Sequence, residues 1–200
     1  MDERTVFVLA DRALQKVVEQ INDDQWGMLM PHWFPRSAAQ SDVTLREVIN
    51  YHAYDDSWVP DMLAGKTMVD AGKTRFDGDL LGLDPGAAFA VIADVACAAA
   101  EGLDDLERTV HTSFGDYTAQ QYLWQVTSFR GLRAHDIAKV IGVDATLSHE
   151  LVQGLWEEIA PHAEEWRAIG VYGPAIEVAA SATLQDRLLA LTGREPDGTE

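Results

Sequence analysis

Apolar residues recur every three or four positions along most of the chain, which is the pattern of amphipathic α-helices. This spacing predicts helices over residues 5–21, 44–64, 84–102, 118–140, 148–169 and 184–191. A capping box of Thr44 and Glu47 starts the second helix, and Asp84 followed by Pro85 starts the third. Pro161 is expected to kink or split the fifth. Residues 108–114 are β-branched and predict a brief strand or an extended loop.

Four substantial helices with trailing shorter pieces predict an all-α fold, a helical bundle. We expect residues 1–170 to form the bundle and residues 171–200 to form a C-terminal extension that packs on it and ends in a frayed tail. The segment 26–35 contains two prolines and three aromatic residues, so it is predicted to be an ordered, packed loop rather than a tether.

Charge narrows the range of partners. The 200 residues include 33 acidic and 15 basic ones, and the formal net charge is −18. Such a surface repels nucleic acids and anionic lipids, which bind mainly through cationic side chains. No apolar run approaches the roughly 18 residues that a membrane helix needs, and the acidic N-terminus does not fit a secretory signal. We therefore predict a cytoplasmic protein that binds neither nucleic acid nor membrane.

Two sequence features suggest chemistry that their context does not support. The AGKT segments at residues 64–67 and 71–74 resemble half of a phosphate-binding loop. Neither Gly65 nor Gly72 has a glycine five residues earlier or a preceding strand, so a nucleotide-binding interpretation is rejected. Cys97, the single cysteine, lies in an alanine-rich segment and is predicted to be a buried core residue rather than a catalytic thiol.

Polar side chains that interrupt the apolar stripes mark candidate sites, because sites in bundles are built from inward-facing side chains. On the fourth predicted helix, Arg133 continues a stripe that contains Phe129. On the second, Tyr51 and Asp55 share a stripe that His52 borders. A buried charge needs a partner or solvent. Arg133 therefore either forms a structural ion pair with Asp55 or anchors a carboxylate or phosphate with Tyr51 beside it, and both interpretations stay open.

Among the six histidines, His111 is the strongest candidate for catalysis, because it lies in a non-helical segment where a pocket rim is expected. The alternative is a histidine with a structural role. Glu158 and His162 have the spacing of two metal ligands on one helical face. Pro161 and the surrounding acidic residues favour an exposed pair instead.

Several blocks carry a family resemblance: LREVINY, WVPDMLAGKT, RFDGDLLGLDP, TVHTSFGDY, QQYLWQVT, DIAKVIGVDATLSHELV and DRLLALTGREP. Together, and in this order over nearly the whole chain, they resemble the DinB-like family related to mycothiol-dependent maleylpyruvate isomerase. The resemblance implies an up-down-down-up four-helix bundle. It also implies a divalent metal held by a histidine on the second helix and an acid and a histidine on the fourth, which activates a thiol such as mycothiol.

The implied ligand positions fall on Tyr51, Phe129 and Arg133, so all three ligands are replaced. The guanidinium of Arg133 stays protonated and cannot bind a metal. We interpret it as a covalently attached cation in place of the metal ion. His52 and His135 lie one and two residues from ligand positions, which turns them by about 100° and 200° around the helix.

The first hypothesis is a metal-independent protein that binds or transforms a small anionic or polar metabolite, with no cofactor and no metal ligands. Its predicted site residues are of two kinds, substrate-binding (Arg133, Asp55 and Phe129) and catalytic (His111, His52 and Tyr51). Isomerisation, elimination or cyclisation would suit such a site.

Two alternatives stay open. One is a zinc- or nickel-dependent mycothiol transferase or isomerase with shifted ligands. The other is a non-catalytic pseudoenzyme or interaction module in which the Arg133–Asp55 pair is structural. Because DinB-like bundles often pair, a homodimer is also expected.

Overall fold

The computed structural model describes residues 1–35 and 42–196 and is mostly helical, with one small two-stranded sheet. In chain order its elements are α1 (Glu3–Val18), α2 (Leu45–Leu63), α3 (Met68–Ala71), α4 (Pro85–Glu101), β1 (Thr109–Thr112), β2 (Gly115–Thr118), α5 (Ala119–Arg130), α6 (Arg133–Ile141), α7 (His149–Ile159), α8 (Ala163–Ala168) and α9 (Leu184–Leu191).

The predicted helix starts are confirmed where a capping signal marks them. The Thr44 side chain accepts a hydrogen bond from the backbone N–H of Glu47, and the Glu47 carboxylate accepts one from the Thr44 backbone N–H at 2.8 Å. Asp84 caps α4 through the backbone N–H of Ala87, with Pro85 at the first helical position. Local side-chain chemistry therefore sets these boundaries.

The predicted fourth helix, 118–140, is two helices, and this prediction was wrong in a way that matters for the site. α5 ends at Arg130 and α6 begins at Arg133, with Gly131 and Leu132 between them. Glycine has low helix propensity, and Leu132 adopts a ψ of −1°, so the helical hydrogen-bond ladder stops and restarts here. A stripe drawn through both segments therefore does not stay on one face.

Pro161 was expected to kink or split the predicted fifth helix. It splits that helix into α7 and α8. The predicted extended segment is the first strand of an antiparallel hairpin, in which Thr109 pairs with Thr118 and Thr112 with Gly115. The second strand was not predicted. It makes the fold mostly helical rather than all-α.

The helices of the first part of the chain pack side by side. α1 contacts α4, α5 and α6, and α2 contacts α4 extensively and α5 over a smaller interface. They share a core to which β1 adds Val110; its buried members include Phe7, Val59, Leu63, Ala96, Ala100, Ala119 and Leu123. Burial of such side chains is the main stabilising contribution.

The chain divides into two compact units, residues 1–146 and 147–200, whereas the predicted boundary lay after residue 170. The difference arises because α7, which was assigned to the bundle, packs against α9. In the second unit, buried leucines of both helices supply the apolar contacts, among them Leu151, Leu155, Leu188 and Leu189.

Across residues 1–35 and 42–196, no helix combines the length and the apolar character needed to cross a membrane.

Candidate functional site

The centre of the first unit holds a buried guanidinium with three carboxylates. Arg130, the last residue of α5, directs Nη1 to the carboxylates of Asp56 and, at 3.5 Å, Asp11. Its Nη2 lies 3.4 Å from Asp55 Oδ2 and 3.4 Å from the backbone carbonyl oxygen of His52. Arg130, Asp11, Asp55 and Asp56 are called the Arg130 cluster below.

Three helices bring the cluster together. Asp11 lies on the buried face of α1 with Phe7, Ala10 and Leu14. Asp55 and Asp56 are consecutive residues of α2. Arg130 comes from the C-terminal end of α5, where a positive charge is favoured by the helix dipole.

Burial shifts the titration of the acids. Burial raises the pKa of Asp11 to about 6, although the neighbouring positive charge of Arg130 opposes that shift. Burial likewise raises the pKa of Asp55 against the attraction of Arg130. Asp11 therefore binds a proton at a pH nearer to neutral than a surface aspartate does.

Cys97 borders the cluster from α4, with its Sγ atom 4.0 Å from Asp11 Oδ2. Burial, followed by the negative charge of Asp11, raises the pKa of this thiol to about 12. Thiol chemistry requires the thiolate. The predicted role of Cys97 as a buried, unreactive side chain is therefore consistent with the structure.

His52 is buried beside the cluster on α2. Burial lowers its pKa well below the usual value, and the positive charges of Arg130 and Arg133 lower it further. The imidazole is consequently neutral at pH 7, with one nitrogen as donor and the other as acceptor. His52, one of the predicted catalytic residues, thus lies beside the cluster, and its catalytic role stays a prediction.

Several buried polar atoms here lack a hydrogen-bond partner among the described residues: His52 Nδ1, Asp56 Oδ2, Arg130 Nε and Thr127 Oγ1. Thr127 precedes Arg130 by one turn of α5. Buried polar groups are normally paired, and an unmet one costs about 1–3 kcal/mol. The cluster therefore has hydrogen-bonding capacity that these protein groups do not use.

The predicted Arg133–Asp55 ion pair was wrong, because Arg130 is the partner of Asp55. Arg133 Nη1 instead donates to the backbone carbonyl of Pro35 at 2.8 Å and lies 3.5 Å from Asp136. Its guanidinium stacks over the Phe34 ring at 4.7 Å. With 17% of its side chain exposed, Arg133 is less buried than Arg130, whose side chain is 1% exposed.

Tyr51 and Phe129 were predicted to face inward, and the structure differs at both. Tyr51 is 58% exposed and Phe129 is 50% exposed. On α5 the buried positions include Leu123, Thr127 and Arg130, one residue further along than the predicted stripe. Tyr51 still lies near the cluster, since it precedes Asp55 by one turn of α2. The negative charge of Asp55 and then burial raise the pKa of Tyr51.

The remaining histidines lie elsewhere. His111, predicted to be catalytic, lies on β1 with its Nδ1 2.7 Å from Asp116 of β2, its partner across the hairpin. His135 is buried and its Nδ1 lies 3.0 Å from the carbonyl oxygen of Ala145. His162 lies 3.4 Å from Glu165 on the second unit.

The positions at which the resemblance implies metal ligands carry an exposed phenol, an exposed phenyl ring and the Phe34-stacked guanidinium. This donor set does not fit a divalent metal. Outside the gap at 36–41 and the last four residues, no group of three or more His, Cys, Asp or Glu side chains is arranged to hold a metal ion.

Sequence reasoning missed Arg130, Asp11 and Asp56. Asp11 offered a signal, since it interrupts the apolar face of α1 between Phe7 and Leu14. Asp56 offered another, because it lies four residues from His52 and so on the same helical face.

The raised pKa of Asp11 predicts a pH-dependent stability. Folding raises this pKa from 3.8 to about 6, so the folded chain binds the proton more tightly than the unfolded chain. The stabilisation is complete below about pH 4 and is lost as the pH rises through about 6. We expect the free energy of unfolding of the wild type, relative to that of Asp11→Asn, to fall between about pH 4 and about pH 7. Urea unfolding across this range measures it.

Asp24→Asn, which removes an exposed carboxylate from a turn, controls for the loss of one unit of charge. Parallel pH profiles for the wild type and Asp11→Asn would contradict the prediction.

A scan of protein-family models finds no match to the chain, and searches of curated proteins and of solved structures find none either.

Proposed function

We propose that this chain is a DinB-like, up-down-down-up helical protein that binds a small polar metabolite at the Arg130 cluster without a metal. The observation that carries the proposal is a fully buried arginine among three carboxylates, beside a neutral histidine with an unpartnered ring nitrogen. Buried ion networks stabilise a fold no better than well-packed apolar side chains. A use in binding accounts for their presence.

The hypothesis of a fixed guanidinium at the centre is retained, but the residue is Arg130 rather than Arg133. Asp55 is the acid of the cluster that solvent can reach, because 32% of its side chain is exposed while Asp11 and Asp56 are fully buried. Tyr51 lies one turn before Asp55 on α2. His111 has no part in the proposal, because its ring pairs with Asp116 in the hairpin.

His52 is the group that would act on a bound substrate. Its lowered pKa keeps the imidazole neutral and makes it a weak base, so we expect it to orient the polar atoms of a substrate through one donor and one acceptor nitrogen rather than to remove a proton. The guanidinium of Arg130 stays charged and serves to hold the carboxylates in place.

A fragment screen observed by NMR tests the proposal. We expect fragments that bind to shift side-chain signals of His52 and Arg130. His52→Leu, which removes the ring nitrogens at similar volume, should weaken that binding about tenfold or more, equivalent to about 1.4 kcal/mol. Affinity is measured by titration of the best fragment.

His149→Leu is the matched control, because His149 is exposed in the first turn of α7. If His52→Leu loses its native spectrum, His52→Gln replaces it. The proposal is contradicted if no fragment shifts these signals, or if both histidine variants bind like the wild type.

A purely structural role for the cluster is the second candidate. It is favoured by the contacts of the two terminal nitrogens of Arg130, which engage three carboxylates and a carbonyl oxygen. The apolar replacement described in the Discussion distinguishes this role from binding.

A further inference from the structure

The Arg130 cluster has an excess of negative charge. Asp11, Asp55 and Asp56 surround one guanidinium, and His52 adds no charge because its pKa is lowered. Arg133 and Arg12, two further cations near the cluster, each contact an acid outside it, Asp136 at 3.5 Å and Asp94 respectively. Even with Asp11 protonated, the carboxylates of Asp55 and Asp56 outnumber the charge of Arg130. The whole chain, at −18, adds a field of the same sign.

The excess is accessible at one carboxylate. Asp55 is partly exposed, and its Oδ2 lies 3.4 Å from Arg130 Nη2, longer than the roughly 2.7–2.9 Å of a strong charge-assisted hydrogen bond. Asp56 engages the guanidinium directly through Oδ1. Asp55 is therefore the carboxylate that can accept a second cation from solvent.

Two further buried polar atoms belong to residues close to Asp55 on α2. Asp56 Oδ2 has no hydrogen-bond partner in the described part of the chain, and neither does His52 Nδ1, although both side chains are almost fully buried. An oxygen of a carboxylate can only accept hydrogen bonds. The matching ligand group is thus a donor that carries positive charge.

An aromatic ring stands beside this acceptor. Tyr51 lies one turn before Asp55 on α2 and so on the same side of that helix. The carboxylate charge of Asp55 raises the pKa of Tyr51, so the phenol stays neutral at physiological pH. An electron-rich ring face attracts organic cations. Tyr51 and Asp55 together have the composition of a simple ammonium site.

From this juxtaposition we infer that the ligand bound at the Arg130 cluster is a small amine, whose ammonium group pairs with Asp55 beside Tyr51. The inference rests on the proposed binding function and replaces the expected anionic metabolite with a cationic one. A carboxylate or phosphate would meet the excess negative charge and an arginine whose terminal nitrogens are already engaged. A primary ammonium adds one charge and several N–H donors.

Three aromatic probes of similar size and different charge test the inference: benzylamine, benzyl alcohol and benzoate. In NMR titrations of the full chain, we expect benzylamine to shift signals of Asp55, Tyr51 and His52 and to bind at least about tenfold more tightly than the other two. Asp55→Asn should weaken benzylamine binding about tenfold or more. Tyr51→Leu, at an exposed position, should weaken it about two- to fivefold.

Asp104→Asn is the matched control, because it removes the same charge from an exposed residue of the same unit and should leave the affinity unchanged. Equal weakening by Asp55→Asn and Asp104→Asn would overturn the inference, since it would indicate general attraction to an acidic surface. Benzoate binding at the cluster would overturn it while leaving the binding function intact. So would fragment hits at the cluster that include no cation. Failure of the binding function itself would appear as a fragment screen in which no compound shifts the cluster.

Discussion

Arg130→Met is expected to lower the free energy of unfolding by about 3–5 kcal/mol, because it leaves buried carboxylates without their counter-charge. Asp11 and Asp56 are fully buried, and Arg130 is the cation that contacts both. Methionine fills a similar volume, so the loss measures charge rather than cavity formation. Urea unfolding at neutral pH gives the value, and the loss should shrink at lower pH, where Asp11 binds a proton.

Arg12→Met is the control for Arg130→Met. Arg12 also pairs with an aspartate, Asp94, but both side chains are substantially exposed, so a loss below about 1 kcal/mol is expected. A comparable loss in the two variants would contradict the role of burial.

The triple variant Arg130→Met, Asp11→Leu and Asp56→Leu removes all three fully buried charges together. It is expected to recover most of the stability lost by Arg130→Met alone, because no uncompensated charge remains buried. If it folds and still binds the ligands of the wild type, the cluster is structural. If it folds and binds none, the proposed function is supported.

Gly193→Ala is expected to destabilise the second unit by several kcal/mol. Gly193 follows α9 with a φ of +77°, and the backbone N–H of Arg194 donates to Leu189 O at 2.8 Å, which closes the helix end. An alanine at positive φ costs about 1–2 kcal/mol. Its Cβ would also lie 2.7 Å from Gly173 Cα, so two backbone segments would have to separate, at about 1–3 kcal/mol more. Amide hydrogen exchange across α9 measures the loss.

Gly170→Ala separates the two causes. Gly170 has a similar φ of +81°, but nothing lies within 4 Å of the added Cβ. We therefore expect only the conformational cost there. Equal losses at both glycines would show that the approach of Gly173 contributes nothing.

The sequence predicted the helices well because their ends are encoded locally. Thr44 and Asp84 cap two helix starts with their own side chains. Pro161 lacks the backbone N–H that a helix continuing through it would need. The hairpin strand that ends at Thr118 was harder to predict. It is four residues long, and its pairing with β1 is a tertiary contact.

The type of interaction expected at the candidate site is present, but the arginine that makes it is a different residue. A guanidinium facing Asp55 was expected, yet it comes from Arg130 instead of Arg133. Three residues turn a helix by about 300°, so these two side chains lie only about 60° apart, and a stripe about 100° wide admits both. The break at Gly131 decides between them, and periodicity alone did not reveal it.

Asp11 was missed for a different reason. Its importance depends on α1 packing against α5, which brings it to Arg130 across 119 positions of sequence. Contacts of this range follow from the fold as a whole. Asp55 and His52 could be predicted because their own helix carries the signal, an acid and a histidine on or beside an apolar stripe.

The burial of Cys97 on α4, against Asp11 of α1, makes its thiol a natural probe of opening in the first unit. Because the chain has a single thiol, which is enclosed and kept protonated in the folded state, alkylating reagents can reach it only when the helices of the first unit separate. The rate at which such a reagent modifies Cys97 therefore measures how often the helices separate. Ligands that close the Arg130 cluster would slow the modification, without any label having to be introduced.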